Sequence, residues 1–220
     1  LTILVCLVFG YVIWSFVLGN SSNFMNGDPK GDPLPGNLMG MMYKGGLVIA
    51  VLIGLLTTTI VFGIERFIGI SKAAGSGDVK AYVAKVQSLV NANQIDEAIE
   101  LSDKQKGSVA NVVKAALIKL KEVKREGFDA DKATETIQKE IEEATVLEMP
   151  MLEKNMIILA TLVSIGTLVG LLGTVTGMIK AFSALSTAGS PDSSALATGI
   201  SEALMNTATG IGTSTLAIVF

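Results

Sequence analysis

The chain has 220 residues, half of them hydrophobic and 17% charged, with a net charge of −3 and a mean hydropathy of +0.55. That balance points to an integral membrane protein and provides no basic groove for nucleic acid. It contains no histidine, which excludes zinc sites and histidine-based acid–base chemistry; Cys6 is the single cysteine, permits no intrachain disulfide, and reads as a small buried hydrophobe.

Crossing the hydrocarbon of a bilayer takes ~20 apolar residues. Residues 1–19 are uncharged and apolar, with no small-residue cleavage site after them, and fit an uncleaved anchor. The chain opens on Leu1 rather than Met and stops at Phe220 within an apolar run, so both ends read as trimmed. Residues 20–43, "NSSNFMNGDPKGDPLPGNLMGMMY", are rich in Gly, Pro and Asn and predict an irregular outer loop. A second span is expected over 44–70, built on "GGLVIAVLIGLLTTTIVFGI" (45–64) and closed by Glu65 and Arg66.

Residues 71–154 differ in character: long, charged and helical. "DVKAYVAKVQSLV" (78–90) places Val79, Tyr82, Val83, Val86, Leu89 and Val90 at helical spacing. Further helices are expected over 95–102, 109–124 and 129–149, the last capped by Asp129 or Asp131. "IDEAIE" has no second copy at a fixed period, which argues against a repeat array. Third and fourth spans are expected over 155–182 and 195–220, joined by a short turn at 183–194. Of the 17 Lys and Arg, 13 lie in 71–154, so that segment is expected in the cytoplasm, with both ends of the chain on the same side and the two short loops outside. Lys180 departs mildly from this rule and would snorkel to the outer interface.

The last two spans carry the functional signal. At helical spacing, Thr167, Gly170, Thr174, Gly177 and Ala181 share one small, hydroxyl-bearing face, opposite Leu168, Leu172, Val175 and Ile179. Gly166/Gly170 and Gly173/Gly177 are small-xxx-small pairs suited to close helix packing. In the last span, Thr198, Glu202, Asn206, Thr209 and Thr213 form one stripe, beside Ala203, Thr207, Gly210, Ser214 and Ala217. Small residues and threonines are also ordinary packing devices, so a purely structural role competes with a functional one. Glu202 tips the balance: it lies roughly 10 Å into the span by helical rise, and no Lys or Arg within the uncharged spans is there to pair with it. Such a carboxylate must meet water, a polar cavity or a proton. No stretch, "GLLGTVTG" included, has the Gly-Lys-Ser/Thr ending of a phosphate loop, and no enzyme chemistry or cofactor is expected.

At these residues the chain resembles the ExbB/TolQ/MotA family of ion-channel subunits, with ExbB the nearest. "LEKNMIILATLVSIGTLVGLLGTVTGMIKAF" (152–182) and "GISEALMNTATGIGTSTLAIVF" (199–220) are similar to the family's last two helices, and "ERF" (65–67) to its first membrane exit. "GLLGTVTGM" and "ISEAL" are specific together and weak singly. The resemblance implies an all-α polytopic membrane protein with one extra N-terminal span, in a pentameric ring around an ExbD-like single-span partner bearing a transmembrane aspartate. It implies use of the proton motive force at the bacterial inner membrane to energise TonB-dependent outer-membrane transport. On that resemblance Thr174, Thr207 and Glu202 form the ion pathway, with Thr167, Asn206, Thr209, Thr213 and Ser214 as further pore-face candidates and Gly170, Gly173, Gly177 and Gly210 packing closely. The expectation is that these faces look into a shared lumen. Two family prolines are replaced by Thr167 and Leu216, leaving Gly166, Gly210 and Gly212 to supply any bend. The additional hydroxyls Thr209, Thr213, Ser214 and Thr215 suit sodium as well as protons. A TolQ-like role in envelope maintenance, a sodium-driven variant and a non-conducting membrane scaffold are the alternatives.

Overall fold

The computed structural model describes residues 1–29, 31–187 and 193–220, with 184–187 and 193–195 described by backbone alone. Lys30, the single basic residue expected in the 20–43 loop, and residues 188–192 of the expected turn lie outside the described residues. The described chain is all-helical; its β pairing is an isolated antiparallel bridge between Phe24 and Pro33.

Nine α-helices follow in order among the described residues: α1 Thr2–Val12, α2 Leu38–Lys44, α3 Leu47–Ala73, α4 Val79–Asn91, α5 Ile95–Gln105, α6 Ser108–Glu126, α7 Ala130–Glu153, α8 Met156–Thr187 and α9 Ser193–Val219. Two described stretches are long and apolar enough to cross a membrane: Leu47–Ala73, and the apolar part of Ala130–Ser183, which is carried by α8. The expected first span is apolar but shorter, Thr2–Leu18. The expected last span has the length, 27 residues in α9. Its Thr, Ser, Gly, Asn and Glu content dilutes its hydropathy, which is the chemical consequence of packing so many hydroxyls into one helix.

The chain divides into two compact units, Leu1–Ile64 with Asn155–Phe220, and Glu65–Lys154. In the first, Leu18, Ile49, Leu52, Ile53, Leu55, Phe62, Leu159, Leu162 and Ala217 form one core. α1 approaches α3 through Gly10 and Gly54: a Cβ at Gly10 would stand 2.7 Å from the Ala50 carbonyl oxygen, so backbone contact there requires glycine. α1 continues as a π-helical turn, Ile13–Leu18, whose end carbonyls at Val17 and Leu18 accept from Asn23 Nδ2 at 3.1 and 3.0 Å. Trp14 stacks on Tyr43 at 4.8 Å and donates its indole N–H to the Tyr43 carbonyl. The segment expected to be an irregular loop therefore ends in the helix α2. Asn37 starts that helix by accepting the Gly40 N–H at 3.1 Å.

The second unit packs Tyr82, Val86, Ile95, Ala98, Ala110 and Leu117 from α4, α5 and α6. α7 starts on Asp129, which accepts the Lys132 N–H at 2.8 Å. The alternating charges lie on exposed faces, in pairs such as Lys119–Glu122 at 2.8 Å. Where this unit begins and ends, the buried Arg66 donates to the Lys154 carbonyl at 3.1 Å and Lys154 pairs with Glu65 at 3.5 Å.

Candidate functional site

The site is built on the pairing of α8 with α9. A Cβ at Gly170 would stand 3.1 Å from Gly210 Cα and 3.2 Å from the Asn206 carbonyl oxygen. One at Gly210 would stand 2.7 Å from the Gly166 carbonyl oxygen, and one at Gly177 2.9 Å from the Ala203 Cβ. Gly173 lies against the side chain of Asn206. The glycines thus form a continuous seam, where two backbones meet because no side chain keeps them apart. In the single chain, the small faces meet each other rather than bound a lumen. The bulky residues point away: Leu168, Leu172, Val175 and Ile179 on α8, and Leu204 and Ile211 on α9, are all exposed.

Several hydroxyls lie along this seam. Thr174 and Thr207 hydrogen-bond to each other across the helix pair, and each hydroxyl lies 3.3 Å from the Gly170 carbonyl oxygen. One of the two can donate to the other while its partner donates to the carbonyl. Further along, Thr167 donates to Ser214 at 2.9 Å, and Ser214 donates to the Val163 carbonyl at 2.7 Å. Thr209 and Thr213 bond back to their own helix, at the Met205 and Thr209 carbonyls. The structure therefore brings together Thr174 with Thr207 and Thr167 with Ser214, and leaves Thr209 and Thr213 outside those bonds. Asn206 is 2% exposed; its Nδ2 reaches the Gly45 carbonyl at 3.5 Å, and its Oδ1 has no hydrogen-bond partner. A buried acceptor of that kind asks for a donor.

Glu202 is half-buried and lies at two clefts. One, of about 340 Å³, is lined by Gly45, Val48, Thr176, Lys180, Glu202 and Asn206 among others. The second, of about 290 Å³, is lined by Pro33, Pro35, Lys44, Thr198, Ser201 and Glu202 among others. Lys44 shares the second of these clefts with Glu202, and Lys180 the first. Both lysines lie just outside the uncharged stretches 45–64 and 156–179. Folding α8 back onto α9 brings Lys180 to the same cleft as Glu202, and Lys44, expected at the start of the second span, instead closes α2 at the other cleft. The lysine at the end of "NLMGMMYK", where an apolar turn meets Gly-Gly, was the available signal. Thr57, Thr58 and Thr59 of α3 donate to carbonyls of their own helix, and Thr58 and Thr59 are fully buried, so that cluster is internal packing. Among the described residues, no group of carboxylates and cysteines is arranged to hold a metal ion.

Two comparisons bear on this arrangement. The family model described as the MotA/TolQ/ExbB proton channel family matches residues 104–220, which contain both helices of the seam. A Synechocystis sp. protein named "Putative biopolymer transport protein ExbB-like 3" is 26% identical over 180 residues, covering 80% of this chain and 79% of its own length.

Proposed function

Since the chain belongs to the MotA/TolQ/ExbB proton channel family, we propose that it is an ExbB-like subunit of an inner-membrane, proton-driven stator. In this reading four helices, α1, α3, α8 and α9, span the bilayer, and Glu65–Lys154 and both chain ends lie in the cytoplasm. Copies of the chain, five on the family resemblance, surround an ExbD-like single-span partner whose aspartate takes up and releases the proton. The assembly energises TonB-dependent outer-membrane transport. The observation that carries the proposal is the hydroxyl pair Thr174–Thr207 on the α8–α9 seam, with Glu202 further along α9 on the same helix pair. Uncharged hydroxyls can replace water around a carboxylate while it changes charge. The exposed Leu168, Leu172, Val175 and Ile179 suit lipid or a neighbouring copy.

The glycine seam favours one rival reading, a scaffold whose small faces only pack. The two separate cleanly. In the native host, Thr174→Val and Glu202→Ala are expected to abolish energised uptake across the outer membrane while the subunit still assembles. Uptake that survives both changes supports the scaffold. Loss of envelope integrity with uptake intact would point to a TolQ-like role.

A further inference from the structure

Two clefts of the first unit are continuous. An apolar groove of about 550 Å³ runs along α9, lined by Met41, Ile200, Leu204, Met205 and Ala208 among others. Met41, Ala197 and Ser201 belong both to this lining and to that of the cleft of about 290 Å³ that holds Lys44 and Glu202. The groove therefore opens at one end onto an ammonium, a carboxylate and the hydroxyls of Thr198 and Ser201, walled by Pro33 and Pro35. Its size suits a small organic molecule.

The order of chemistry along the groove is that of a lipid. From Ala197 to Ala208, α9 rises about 16 Å, close to the depth of one leaflet, half of a hydrocarbon core of about 30 Å. With α9 across the bilayer, the charged end lies toward the outer surface and the apolar end toward the midplane. Ile200, Leu204 and Ala208 are exposed, so the apolar wall is free to take a hydrocarbon tail. The polar end carries both signs of charge and fits a headgroup that does the same. Lys44 has three N–H donors and can give one to a phosphate oxygen while keeping other contacts. A purely anionic headgroup would set its phosphate against Glu202, and a quaternary ammonium has no N–H to donate to that carboxylate. A second copy of the chain fits less well: the exposed Leu168, Leu172, Val175 and Ile179 of α8 could meet the apolar wall but bring no charge to the polar end.

We infer that the joined cleft binds one phospholipid with a primary-amine headgroup, of the phosphatidylethanolamine type. Its acyl chain lies along α9, its phosphate at Lys44 and its ammonium at Glu202. The inference rests on the proposed spanning of the bilayer by α9 and not on conduction. It gives a role to Lys44, which stands outside the residues matched by the family model.

The test uses the full chain in nanodiscs of phosphatidylethanolamine, phosphatidylglycerol and phosphatidylcholine in equal parts, with native mass spectrometry counting the lipids that stay bound. Wild type is expected to retain one phosphatidylethanolamine per chain in preference to the other two. Lys44→Gln should lower that occupancy about five-fold, and Lys44→Arg should restore it. Glu202→Gln should let phosphatidylglycerol take the site. Ala197→Trp, at an exposed residue common to both clefts, should fill the junction and expel the lipid. A wild type that retains no lipid, or all three equally, overturns the site. So does unchanged occupancy in Ala197→Trp; if that variant instead separates into single chains with its lipid still bound, the groove belongs to a second copy. A chain that alkali washes from the membrane overturns the spanning reading and the site with it, whereas a failure to conduct protons leaves the site standing.

Discussion

Gly210 and Gly212 sit two residues apart on α9, and their surroundings differ completely. A methyl group on Gly210 would stand 2.7 Å from the Gly166 carbonyl oxygen and 2.8 Å from Gly170 Cα, both backbone atoms that move only if the helices separate. Nothing lies within 4 Å of the same position on Gly212. Gly210→Ala is therefore expected to weaken α8–α9 pairing by about 1–3 kcal/mol. Gly212→Ala is expected to be neutral or slightly stabilising, since alanine is the better helix former. Unfolding of the two variants in mixed micelles distinguishes these outcomes; equal stability would contradict the seam. The small-xxx-small spacing of Gly166, Gly170, Gly173 and Gly177 was legible from sequence, as was the unusual carboxylate at Glu202. The direction of the face was not. Spacing says which residues share a side of a helix, but which partner that side meets depends on a fold-back that brings distant residues into register. That Lys44 and Lys180 share clefts with Glu202 was hidden for the same reason.

At the scale of elements, α4 through α7 followed their helical periodicity closely, because polar and apolar residues alternate cleanly along a solvated helix. The segment before α3 did not: Asn23 and Asn37, ordinarily loop formers, here satisfy the end of the π-helical turn and the start of α2. Those are side-chain hydrogen bonds across several residues, which composition does not encode. Inside the second unit, Ser102 donates to the Ala98 carbonyl, which leaves the Tyr82 hydroxyl to donate to Ser102 Oγ at 2.7 Å. Burial pushes the Tyr82 hydroxyl above its ordinary value, with the Ser102 hydrogen bond opposing. The neutral form is thus favoured in the fold. Its contribution to stability is therefore fully present below the unfolded value of about 10 and is lost as pH rises through the folded value. Tyr82 therefore contributes to unfolding at high pH, because its ionisation favours the open chain. Thermal unfolding of the full chain from pH 8 to 11 is expected to show a high-pH decline that Tyr82→Phe reduces, at a cost of about 1 kcal/mol near neutrality. A decline of the same size in Tyr82→Phe would assign it to other groups.

For the whole molecule, the arrangement makes sense of a last helix too polar to look like an ordinary span. α9 is polar because its hydroxyls and Asn206 serve a packed seam and a pair of clefts, and α8 supplies the glycines that let it approach. Residues 33–44, outside the residues matched by the family model, line a cleft together with Glu202. The claim on which the account depends is that the Thr174–Thr207 pair lies on a conducting path. Proton flux through liposomes holding the full chain and the proposed single-span partner measures this directly, comparing wild type with the Thr174→Val, Thr207→Val double variant, which keeps side-chain shape and removes both hydroxyls. The account predicts at least a ten-fold loss of flux with the oligomer intact; undiminished flux in an intact oligomer would contradict it.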